Sequence, residues 1–178
     1  MIISVYLDMG LAVLVSLAAL TDLTSRRIPN LLLLTGFCGA LLVNLLSPAP
    51  FTALLWALVG TTTGLLIFLP LYFLRGMAAG DVKFMATVGA FSTPIDTLYI
   101  AFIAVCFGGV MSLALVVANG RLRMLGANLS ALLLMRIPAV SMPSSSVGSI
   151  PYGVAIACGT WFVIAQRYHW FAALASLV

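Results

Sequence analysis

Apolar side chains fill this chain in long, nearly unbroken blocks, and the breaks between them are short stretches of Pro, Gly, Ser or charged residues. The blocks cover about 3–21, 29–46, 52–74, 82–93, 95–118 and 150–168. Most of them reach or approach the ~20 residues that a helix needs to cross a ~30 Å hydrocarbon core. In lipid such a block must be helical, because no water is present to satisfy backbone N–H and C=O groups. Ser47-Pro48-Ala49-Pro50 and Ser92-Thr93-Pro94 mark turns, and Met142-Pro143-Ser144-Ser145-Ser146 closes a longer loop. The pattern predicts an all-α fold: a polytopic membrane helix bundle of about six transmembrane helices, forming one membrane-embedded domain over 1–178.

Segment 121–136 follows another rule. It places Leu122, Leu125, Leu129, Leu132 and Leu133 on one helical face, with Arg121, Asn128 and Ser130 elsewhere. That amphipathic pattern predicts an interfacial helix on the cytoplasmic leaflet. A seventh, failed span packed against the bundle is the alternative.

Composition agrees: 63% of the residues are hydrophobic and 7% charged, with mean hydropathy +1.23, against roughly 25% charged in a soluble domain. The formal charge of +4 does not mark a nucleic-acid binder, because the basic residues are scattered among loops with no aromatic-lined polar surface between them. The positive-inside rule accounts for them better. With the N-terminus outside, Arg26, Arg27, Arg75, Lys83, Arg121, Arg123 and Arg136 fall on the cytoplasmic side and Arg167 alone falls outside. Both termini are therefore expected in the periplasm of a bacterium. Met1 to Asp8 holds no Lys or Arg for a positive n-region, so the first span is expected to stay in the mature protein. Cys38, Cys106 and Cys158 each stand alone in an apolar run and read as buried small side chains, not as metal ligands or disulfides.

The acids narrow the chemistry. They are Asp8, Asp22, Asp81 and Asp96, with no Glu. Asp8 and Asp96 sit at outer ends of blocks, where a solvated capping or boundary role is expected. Asp22 and Asp81 fall on the cytoplasmic side. At ~1.5 Å per residue, the short fourth block covers only ~18 Å of the core, which puts Asp81 inside the bilayer slab. An ionisable group there must face a bundle interior or a water-filled cavity. His169, the single histidine, lies at the far end of the last block, so no Ser-His-Asp or Cys-His arrangement forms beside these acids, and no metal-ligand cluster or cofactor motif is present. Two readings remain open from the residues alone. Asp22 and Asp81 form a pair that shares a proton, as aspartic peptidases require, or each makes a local ion pair, Asp22 with Arg26 and Asp81 with Arg75 or Lys83.

Three stretches carry a resemblance. Asp22-Leu23-Thr24-Ser25-Arg26-Arg27-Ile28-Pro29-Asn30 resembles the prepilin-peptidase pattern of an Asp followed by Ile-Pro-Asn; Gly76-Met77-Ala78-Ala79-Gly80-Asp81-Val82-Lys83 looks like that family's GxGD segment; and Ile150-Pro151-Tyr152-Gly153 is similar to the Pro-Tyr-Gly segment that opens its last span. The resemblance implies an aspartic endopeptidase of the inner membrane of a bacterium, or of an archaeal relative. Such an enzyme removes the basic leader of type IV prepilins at the cytoplasmic face, and the short form of the chain is similar to the enzymes of tight-adherence (Flp) pilus systems. Asp22 and Asp81 would be the catalytic pair. Gly80, Lys83, Asn30 and Tyr152 would support it or meet the substrate, which is a basic leader joined to a hydrophobic helix beside membrane lipid. Two departures stand out. Ala78 replaces the first Gly of GxGD, removing freedom to adopt positive φ. The cytoplasmic insert with paired CxxC motifs found in larger, N-methylating members is missing, so methyltransferase activity is not expected.

Pro29 and Pro151 are expected at N1 of their helices. Gly60-Thr61-Thr62-Thr63-Gly64 offers a small-residue face, read as internal packing with substrate docking as the alternative. An ion- or proton-coupled transporter is the rival from another class, but no inverted repeat or matched pair of broken helices is visible. A presenilin-like protease would show Tyr-Asp and Pro-Ala-Leu where this chain has Thr21-Asp22 and Ile150-Pro151-Tyr152. Hydrolysis also needs water, so a polar cavity roofed by Gly76–Gly80 and the loop before Ile150 is expected to reach Asp81.

Overall fold

The computed structural model describes residues 2–74, 76–118 and 152–175. Arg75, the segment 121–136 with Arg121, Arg123 and Arg136, the loop at 142–146, Ile150 and Pro151 lie outside the described residues. Among the described residues the chain is entirely helical, with α1 (Ile2–Ser25), α2 (Asn30–Leu45), α3 (Pro50–Phe73), α4 (Ala79–Phe91), α5 (Pro94–Ala118) and α6 (Tyr152–Ala175). Three helices hold stretches long and apolar enough to cross a membrane: Ile3–Ser25, Pro50–Phe73 and Pro94–Ala114. The chain divides into two compact units. One comprises Met1–Phe107 and Pro151–Val178; the other, Gly108–Ile150, is described over residues 108–118, which form the C-terminal part of α5.

The helix ends show why the apolar blocks stop where they do. α1 runs past the block that ended near residue 21, because Thr24 and Ser25 fold their hydroxyls back onto the carbonyls of Leu20 and Thr21 at 2.9 and 3.0 Å, so their polarity does not break the helix. Asp22 therefore belongs to the last turns of α1. Arg26 ends the helix in the left-handed region at φ 51°, donating its N–H to the carbonyl of Asp22 at 2.9 Å. Pro29 stands one place earlier than expected, at the N-cap of α2. Pro50 opens α3, and Pro94 opens α5 behind Thr93. Thr93 Oγ1 accepts the N–H of Asp96 at 3.2 Å and donates to Asp96 Oδ2 at 2.8 Å, so Thr93 caps the helix that Pro94 opens.

α4 is wrapped. Every residue from Asp81 to Phe91 except Lys83 is buried, and the helix packs against α1, α2, α3 and α6. The remaining helices carry large exposed apolar side chains, such as Leu17, Leu34, Trp56, Phe102 and Phe162, as lipid-facing surfaces do. On α3 the buried positions Ala57, Gly60, Gly64 and Phe68 form one stripe at helical spacing. A Cβ at Gly60 would overlap the carbonyl oxygen of Gly89, and one at Gly64 would lie 2.5 Å from that of Met85. The Gly60–Gly64 face thus closes backbone to backbone on α4 and serves internal packing.

The cysteines depart from expectation. Cys38, Cys106 and Cys158 are exposed. Lipid tails are as apolar as a protein interior, so hydropathy alone does not tell a thiol facing outward from one facing inward.

Candidate active site

α1 and α6 pack antiparallel, and two of the polar contacts between them fall on one stripe. Asp8, Val15 and Asp22 recur every seventh residue on the buried face of α1, and Gly153, Thr160 and Arg167 do the same on α6. Asp8 meets Arg167 at one end and Asp22 meets Gly153 at the other. The two contacts lie fourteen residues apart on each helix, or about 21 Å at ~1.5 Å per residue.

At the Gly153 end, Asp22 is 6% exposed and its Oδ2 accepts the backbone N–H of Gly153 at 2.8 Å. A Cβ on Gly153 would stand 2.7 Å from that same oxygen. Asp81, 7% exposed, occupies the first turn of α4 and reaches back to the N-cap, where Oδ2 accepts the N–H of Ala78 at 3.3 Å. α1 and α4 pack together, and the two carboxylates lie within electrostatic range of each other; Asp81 is also within range of the Tyr152 hydroxyl at the start of α6. The side-chain hydrogen bonds of both acids use Oδ2, and no hydrogen bond joins either Oδ1 to another described residue. Two buried acids within electrostatic range of each other, each held through Oδ2, form an arrangement in which one proton can be shared.

Lys83 faces away from Asp81, as residues two apart on a helix do, and its Nζ donates to Asn30 Oδ1 at 3.5 Å on the exposed rim between α4 and α2. Tyr152 is half-buried against the core. Gly80 is half-buried, and a Cβ built there meets no atom of the described residues within 4 Å. Ala78 has φ −80° and ψ 152°, a conformation that any residue adopts, so its replacement of glycine imposes no backbone strain here.

Asp8 is not solvated. It is 4% exposed, and its Oδ1 takes Arg167 Nη1 at 2.6 Å, while Asp96, besides its capping role, takes Nη2 of the same guanidinium at 2.6 Å. Burial of Asp8 is tolerable because the cation arrives from a helix 159 positions later. Sequence reading missed this cluster, and it also missed Gly153 as a contact. The signal available was the seven-residue phase shared by Asp8 with Asp22 and by Gly153 with Arg167. Among the described residues, no three His, Cys, Asp or Glu side chains gather in a way that would hold a metal.

The sequence model of the type IV leader peptidase family matches residues 9–113, more than half of the chain, including Asp22 and Asp81. No curated protein and no solved structure matches the chain.

Proposed function

The chain belongs to the type IV leader peptidase family, and from that membership we propose that it cleaves prepilin leaders by an aspartic mechanism, with Asp22 and Asp81 as the catalytic pair. The observation that carries this reading is the placement of two nearly buried carboxylates, on the packed helices α1 and α4, within electrostatic range of each other. Close carboxylates cannot both stay ionised, so one proton is shared between them. The ionised member takes a proton from water as the water oxygen attacks the scissile carbonyl, and the protonated member donates to the carbonyl oxygen. Collapse of the tetrahedral intermediate breaks the C–N bond, the departing nitrogen takes a proton, and the products are a leader carboxylate and a new N-terminal amine.

The substrate reading follows from charge and hydropathy. A prepilin of the Flp type has a basic leader and an apolar helix; the helix stays in the bilayer and the leader in the cytoplasm beside anionic lipid, which brings their junction to the dyad. Gly80, where a Cβ meets no atom of the described residues within 4 Å, would leave room for the substrate backbone, and the Lys83–Asn30 pair and Tyr152 would frame it. An inner-membrane location with the active site toward the cytoplasm and both termini in the periplasm suits the distribution of Arg and Lys. The test uses purified protein in detergent with a prepilin bearing a basic leader. Asp22→Asn and Asp81→Asn are each expected to lower cleavage at least about 1,000-fold, near the upper range for loss of an acid–base group, while Asp8→Asn and Asp96→Asn keep it. Near-normal processing by either of the first two variants would remove the dyad assignment.

A further inference from the structure

Gly153 places a backbone amide on one of the two acids, and we propose that this N–H positions Asp22 for the reaction, with the missing Cβ as necessary as the bond itself. The inference rests on the aspartic reading above. It adds a group from the last helix to a pair that otherwise comes from α1 and α4.

The chemistry begins with an unpaired donor. The first N–H groups of a helix have no carbonyl behind them to bond, and they carry the positive end of the helix dipole. Gly153 is the second residue of α6, so its N–H is one of these donors, and it meets Asp22 Oδ2 at 2.8 Å across a separation of 131 residues. A bond from a neutral donor to an ionised acceptor is among the stronger kinds and sets direction as well as energy. It fixes Oδ2 and so sets the direction of the whole carboxylate, Oδ1 included.

The glycine is required for space and not for backbone conformation. The φ of Gly153 lies outside the left-handed region, so an L side chain is allowed by the backbone. A Cβ would, however, stand 2.7 Å from Asp22 Oδ2, 3.0 Å from its Cβ and 3.1 Å from its Cγ. Any side chain at 153 therefore displaces the carboxylate from the donor that holds it. Asp81 needs no such help, because its anchor is the N-cap three residues earlier on its own chain. Asp22 depends on the docking of a distant helix, so α6 completes the site although it carries neither acid.

Two measurements on the full-length protein in detergent micelles test this. In a spectrum labelled with ¹⁵N-glycine, Gly153→Ala identifies the Gly153 resonance by its disappearance. In the wild type, that amide proton is expected to move as pH is varied through the ionisation of Asp22, and to lose that movement in Asp22→Asn. Asp81, Tyr152 and Arg26 are the other charged or titratable groups near the pair; because Asp81 titrates together with Asp22, Asp81→Asn is the control, and the amide is expected to keep its pH-dependent movement there with a shifted midpoint. In kinetics, Gly153→Ala is expected to lower kcat about 100-fold, the scale of a small misplacement of a reacting group, with KM within about threefold. Gly159→Ala on the same helix, whose Cβ would lie 2.9 Å from the carbonyl oxygen of Ile100, introduces comparable crowding away from the pair and is expected to keep the kcat of the folded fraction. A pH-silent Gly153 amide, or wild-type kcat in Gly153→Ala while Asp22→Asn is dead, overturns the inference and leaves the dyad standing. A titrating amide alongside full activity in Asp22→Asn removes the dyad instead.

Discussion

Asp8 and Arg167 stand 159 residues apart in sequence and 2.6 Å apart in the structure, on the same pair of helices that brings Gly153 to Asp22. The guanidinium holds Asp96 at the same distance, so α1, α5 and α6 are tied together at the end remote from Asp22. The antiparallel seam of α1 and α6 is therefore fixed at both ends, by an ion cluster at one and by a carboxylate–amide bond at the other.

Removing the cation leaves Asp8 buried with no counter-charge. Arg167→Met is expected to cost about 2–4 kcal/mol, the scale of an orphaned buried ion discounted for the partly exposed guanidinium. Asp8→Asn added to it should restore about half of the loss. Denaturant or thermal unfolding in detergent measures both, and a loss under about 0.5 kcal/mol in the single variant would show that the cluster bears no load.

The contact between α3 and α4 yields a contrast of glycines. Gly60→Ala drives a methyl into the carbonyl of Gly89, where neither side is a movable side chain, and is expected to destabilise by at least about 3 kcal/mol. Gly39→Ala on α2 meets nothing within 4 Å and should stabilise by about 0.5–1 kcal/mol through the helix propensity of Ala. Parallel melting curves decide the matter, and equal effects from the two would mean that the close approach is absent in solution.

Water access is checked by chemistry from one side. Ala79, the exposed first residue of α4, adjoins the site. In a background without Cys38, Cys106 and Cys158, Ala79→Cys is expected to react with a membrane-impermeant thiol reagent applied from the cytoplasmic side, and at least about threefold more slowly with bound prepilin. Labelling from the periplasmic side would reverse the proposed orientation. Complete protection in an active enzyme would argue against an aqueous path past this residue.

The helices were legible because their signals are local: an apolar block of sufficient length, then Pro or Gly. Asp22 and Asp81 were set apart from Asp8 and Asp96 by the distribution of basic residues, and the resemblance of their flanking motifs paired them. The remaining contacts were less legible for a physical reason. A membrane helix is apolar on its lipid face and on its protein face alike, so the outward position of Cys38 and the inward position of Ala40 have no contrasting signature. The pairing of Asp8 with Arg167 depends on helix order in space, which no local pattern encodes. The Gly60–Gly64 stripe announced a close contact without naming α4 as its partner.

The wrapping of α4 also bears on how the protein is made. Thirteen residues span about 20 Å, too short to cross the hydrocarbon core alone, and the buried face includes the ionisable Asp81. Such a segment has little reason to leave the insertion machinery for lipid by itself. Its place is supplied by α3, which precedes it and offers the two glycines that let the backbones meet. The pair is suited to enter the bilayer as a hairpin, with α3 shielding its weaker companion until α6 arrives. The glycines at 60, 64 and 89 let the two backbones meet, and a hairpin that failed to close would leave an acid facing lipid.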